Sequence, residues 1–126
     1  MEEITYAEVL KYLPRFEAGE FANAKAHYQE TGREPPLVLD FMSALIHSGL
    51  QVPFDWPSWK KEARQYFENP EIIKGVDLET IQKLVTTFIR QDRFSGGHFA
   101  SLCSAGIFVH ILRRLHTLSI EQPYEN

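Results

Sequence analysis

Arg90 and Arg93 are followed at once by Ser95, Gly96, Gly97 and His98, a cluster with the residue types that an anion site requires. Arginines three apart share one face of a helix. The glycine pair lets backbone amides come close to a ligand. A helix starting beyond it presents unpaired N–H groups and the positive end of its dipole, a combination that suits phosphate. His98 adds a donor in the first turn, and Arg113 and Arg114 approach if the last two helices pack back. The competing reading is structural. Arginines late in a helix meet the negative end of its dipole and can cap its last carbonyls, with Asp92 a ready salt-bridge partner. Glycines in a tight interhelical turn need no ligand. The segment is not a Walker-type phosphate loop, because no Gly-Lys-Ser/Thr follows.

Other chemistry is thinner. In Phe54-Asp55-Trp56-Pro57-Ser58-Trp59, Trp56 and Trp59 can stack on a base or on a partner's side chain. The preferred reading is that they plug the space between helices, with Asp55 capping. Cys103 lies among Phe99, Leu102 and Ile107, surroundings that disfavour a thiolate nucleophile. The five histidines include no His-x-x-x-His pair, and His110 and His116 fall on different helix faces, so metal binding is not expected. Asp77 and Glu79 do not face one another on a helix. Residues 98–104 offer small side chains where a recognition helix presents long polar ones.

Composition narrows the classes further. The chain has 126 residues, 44% hydrophobic and 24% charged, with one cysteine and a net charge of −4. That is the profile of one ordinary globular domain, and a core of this size needs no disulfide or metal. The charge is unevenly placed: residues 81–120 carry a net +4 and the remainder −8. The acidic total weighs against coating nucleic acid and leaves room for a local anion site. No run reaches the roughly 18 apolar residues of a membrane span. Glu2, Glu3 and Glu8 stand where a secretory leader would be basic. The lone thiol fits a reducing compartment, so a cytoplasmic protein is expected.

Glycines and prolines mark the helix ends that must position these groups. Thr5 and Glu8 have the spacing of a capping box, with Ile4 and Val9 as its hydrophobic staple. The helix they begin should end or kink at Pro14. A weaker helix is expected over 20–30. Pro35-Pro36 opens a third that Gly49 closes. Asp55 or Ser58 caps a helix to about Phe67, and Asn69-Pro70 starts a short turn that Gly75 stops. Asp77 caps the strongest helix, reaching about Gln91. A sixth runs from about Phe99 to Gly106 and a seventh carries Ile107 to Leu118, although Ile107–Val109 also reads as a short strand. The expected fold is all-α: a compact, irregular or orthogonal bundle of six or seven helices forming one domain over 1–126.

Taken together, Phe54-Asp55-Trp56-Pro57-x-Trp59, Asn69-Pro70-Glu71, Asp77-Leu78-Glu79-Thr80, Arg90-x-x-Arg93-Phe94-x-x-Gly97-His98 and Ile111-Leu112-Arg113-Arg114-Leu115 resemble a family of small bacterial and archaeal proteins defined as a domain of unknown function. The resemblance covers about 37–116 and implies a compact, mostly helical domain without an assigned activity. The residues themselves favour a non-enzymatic binding domain for a small anionic ligand such as a nucleotide. Arg90, Arg93, Gly96, Gly97, His98 and Arg113 would hold the anion and Trp56 or Trp59 would stack on a base, with no cofactor. The alternative is a helical protein-interaction module that docks a partner or a second copy.

Overall fold

The computed structural model describes residues 4–121. The readings that rest on Glu2 and Glu3, and the inclusion of 122–126 in the domain, fall outside these residues. The described chain is all-α, with eight helices and no strand among its residues. They are α1 (Tyr6–Leu10), α2 (Leu13–Glu17), α3 (Ala24–Thr31), α4 (Pro36–His47), α5 (Lys60–Glu68), α6 (Leu78–Asp92), α7 (His98–Ala105) and α8 (Ile107–Glu121). Two 3-10 segments, Trp56–Trp59 and Pro70–Gly75, lead into α5 and towards α6. The eighth helix arises because the first element breaks before Pro14, which sits in the first turn of α2 where its missing amide costs nothing. Ile107–Val109, the candidate strand, is the first turn of α8.

Several expected helix ends form by other means. Asp77 caps α6 as read, its Oδ1 accepting from the Thr80 amide at 2.9 Å and from the Thr80 hydroxyl at 2.7 Å. The capping box at Thr5 does not form. The Thr5 amide that Glu8 would have served donates instead to the Ser48 carbonyl at 2.8 Å, and Glu8 pairs with Lys11. Neither Asp55 nor Ser58 caps α5 through its side chain. The 3-10 segment runs directly into that helix, so its first amides are not free ends, and the Ser58 hydroxyl donates to the Asp55 carbonyl. Gly49 and Gly106 take left-handed conformations with φ of 88° and 87°, as helix-terminating glycines do.

The core is built around Phe41 of α4, which is fully buried. The rings of Tyr12, Phe16, Phe21, Phe99 and Phe108 lie 4.9–6.1 Å from it, centroid to centroid. Long-range polar bonds lock the short helices onto this core. Ser104 Oγ accepts from the Lys25 amide and donates to the Phe21 carbonyl, joining α3 to α7. Thr86 Oγ1 accepts from the Val52 amide. Arg114 Nε donates to the Val76 carbonyl at 2.7 Å. Packing places α7 against α3, α6 and α8, while α5 lies on α6 and the two 3-10 segments. That separation opens a groove between α5 and α7.

Candidate functional site

The turn at Ser95-Gly96-Gly97 is shaped by its own protein neighbours. The ring of Tyr28, on α3, lies against both glycines. A Cβ on Gly97 would fall 2.6 Å from Tyr28 Cδ1, and one on Gly96 would meet its hydroxyl. Gly97 has a φ of 83°, a conformation that side chains disfavour. The first amides of α7 are engaged as well. The His98 amide donates to the Ser95 carbonyl at 3.0 Å, and the Phe99 amide donates to Asp92 Oδ1 at 2.9 Å. Asp92 forms no ion pair among the described residues. Its carboxylate takes the place at the helix N-terminus where an external anion was expected.

The predicted site residues fall into separate places. Gly96, Gly97 and His98 line a 510 Å³ cleft with Lys25, Tyr28 and Gln29. Arg90, on α6, is half-buried, with a buried Nε that has no hydrogen-bond partner among the described residues. Arg93 is exposed. Arg113 points to Glu17 of α2, donating through Nε and Nη2 at 3.1 and 2.9 Å; it lines a different cleft, with His110 and Arg114. Trp56 packs on Phe94 with ring centroids 5.9 Å apart. Trp59 sits edge-on to Phe54 and stacks on Tyr66, with the Lys83 ammonium over its ring. Both tryptophans are half-buried; Trp59 packs against the core, whereas Trp56 lies beside Phe94, which is 79% exposed.

The groove between α5 and α7 has a volume of about 650 Å³ and gathers residues the motifs did not mark. Phe88, Leu102 and Ala63 form its apolar floor, Phe67 projects on its rim at 44% exposure, and Gln91 and His98 supply polar groups. Lys60, Lys61 and Arg64 line its edge, together with the carboxylate of Glu68. These three cations form no ion pair among the described residues, whereas Lys11, Arg15, Lys74, Lys83 and Arg113 each have an acidic partner. One sequence signal was present. Lys60 and Lys61 have no acid three or four residues away, so helical spacing leaves their charge uncompensated.

His98 lines both this groove and the cleft beside Tyr28. Its Nε2 is buried without a hydrogen-bond partner among the described residues. Burial lowers its proton affinity, partly opposed by the charge of Asp92, and this favours a neutral ring with one donor and one acceptor. Burial also drives the Cys103 thiol well above its ordinary range, with Glu34 and Asp92 adding to the effect. A thiolate is therefore disfavoured there. Among the described residues no group of three or more histidine, cysteine or acidic side chains is arranged to hold a metal ion. No described helix is long and apolar enough to cross a membrane.

A small all-α domain with a cationic groove and a turn closed by its own carboxylate is the class these features define. The chain belongs to a family of unknown function (DUF6508), whose profile matches residues 1–121. That span takes in the N-terminal 36 residues as well as the segment carrying the motifs. No curated protein and no solved structure matches the chain.

Proposed function

We propose that this protein is a non-enzymatic binding domain for a small anionic ligand with an apolar or aromatic body, such as a nucleotide, held in the groove between α5 and α7. The observation that carries the reading is the set of unpaired cations, Lys60, Lys61 and Arg64, at the edge of an apolar-floored groove. Cations facing a cavity above an apolar floor suit a ligand that is charged at one end and apolar at the other. Ligand pockets commonly combine such a floor with a few placed polar groups, in volumes of about 300–1,000 Å³. Gln91 and His98 provide polar atoms that can fix the orientation of the body. The α7 N-terminus contributes less than the motif implied, because Asp92 already accepts from its Phe99 amide.

Thermal-shift screening against nucleotides and phosphorylated metabolites tests this. A ligand at a hundred times its dissociation constant stabilises the folded state by about 2.7 kcal/mol, or roughly 10 °C for a domain of this size. Losing a charge-assisted hydrogen bond costs about 1.5–3 kcal/mol. Lys60→Glu and Arg64→Glu should therefore each weaken binding about tenfold or more. An unchanged melting temperature with every anion, or a shift that survives both substitutions, refutes the assignment. The second reading, a protein-interaction module, draws on exposed Phe94 beside Trp56. Light scattering that shows concentration-dependent dimers, abolished by Phe94→Ser, would favour it.

A further inference from the structure

The face of α8 opposite the Pro70–Gly75 segment carries charge that the groove does not use. His110, Arg113, Arg114 and Thr117 recur at positions i, i+3, i+4 and i+7, and so lie on one helix face. With Lys74 and Glu71 they line a cleft of about 210 Å³. Arg114 is anchored there through Nε to the Val76 carbonyl, and its terminal N–H donors have no acceptor among the described residues. Arg113 is held by Glu17, and Lys74 by Glu71 at 3.0 Å. Both pairs are solvent-exposed, and such pairs contribute little and exchange readily.

We propose that this cleft is a second anion site, for the phosphoryl group of a phosphate or phosphate monoester, with Glu71 as the resident anion that the ligand displaces. The volume lies below that of pockets for drug-sized ligands, so it suits a headgroup with the rest of a molecule left in solvent. The cations already act together on one carboxylate. Lys74 foremost, with His110 and Arg113, holds Glu71 below the usual carboxylate range. A phosphoryl group brings more charge and more acceptor oxygens than a carboxylate, and can accept from Arg113, Arg114 and Lys74 at once. The site is independent of the α5–α7 groove and shares no lining residue with it.

Two-dimensional NMR titration with inorganic phosphate, and separately with phosphoserine, tests the site at ionic strength held constant with chloride. Saturable shifts are expected for the amides of 71–76 and 110–117 with phosphate and not with chloride. Glu71→Gln should tighten binding about threefold and Arg113→Gln should weaken it about threefold, the scale of one exposed charge interaction. Both positions are exposed, and a dispersed spectrum reports that each variant remains folded. Tighter binding of inorganic phosphate identifies free phosphate as the ligand, and equal or tighter binding of phosphoserine identifies an esterified group. Lys60→Glu must leave these shifts intact, which separates this cleft from the groove. Shifts that do not saturate, an equal response to chloride, or failure of either variant to move affinity in its stated direction overturns the proposal.

Discussion

Replacing Gly97 by alanine should be among the most costly single-methyl additions in this domain. Two contributions can be separated. The residue sits at φ 83°, and placing a side chain in the left-handed region costs about 1–2 kcal/mol. In addition, the new Cβ would stand 2.6 and 2.7 Å from Tyr28 Cδ1 and Cε1. These ring carbons belong to a side chain packed against the core, and overpacking of that kind costs about 1–3 kcal/mol. The expected total is about 2–5 kcal/mol. Gly106 supplies the control, with φ 87° and nothing within 4 Å of an added Cβ. Gly106→Ala should cost the backbone share alone, about 1–2 kcal/mol. Urea unfolding resolves the difference, since slopes of about 1–3 kcal/mol per molar turn it into a clear shift of midpoint. In a Tyr28→Ala background the cost of Gly97→Ala should fall to that of Gly106→Ala. Equal costs for the two glycine substitutions in the otherwise unchanged protein, or a Gly97 penalty that persists without Tyr28, would show that the ring does not shape this turn.

Two neighbouring carboxylates give further outcomes. Asp92→Ala removes the acceptor for the Phe99 amide and should cost about 1 kcal/mol, the usual value of a lost helix cap. Asp92→Asn keeps an acceptor oxygen and should cost less, and hydrogen exchange at Phe99 should quicken in the alanine variant alone. Glu34 is held above the ordinary carboxylate range by burial and by the charge of Asp92, and its Oε1 is buried without a partner among the described residues. A raised folded-state value means that its contribution to stability is present below 4.5 and is lost as pH rises through the folded value. Glu34→Gln should therefore stabilise the domain at pH 7, by at most about 0.5 kcal/mol after solvent screening. The gain should vanish at pH 4, and chemical denaturation at the two pH values measures it.

Local chemistry was readable along the chain wherever it was self-contained. The all-α class follows from apolar residues recurring at helical spacing. Asp77 as a cap, Gly49 and Gly106 as helix stops, and Pro14 as a break each depend on atoms within a few residues, and these features are present. The buried Cys103 likewise followed from its apolar neighbours. What depended on another helix was not readable. The Thr5 amide went to Ser48 rather than to Glu8, and Arg113 went to Glu17, 96 positions away. The glycines at 96 and 97 admit two readings along the chain, backbone brought close to a ligand or a tight interhelical turn, and the Tyr28 ring that lies where their Cβ atoms would fall comes from another helix. Sequence spacing determines which side chains share a helix face, because helical geometry is local. Which face meets which partner, and so which cations are left unpaired beside a groove, is decided only when the core around Phe41 packs and brings distant helices together.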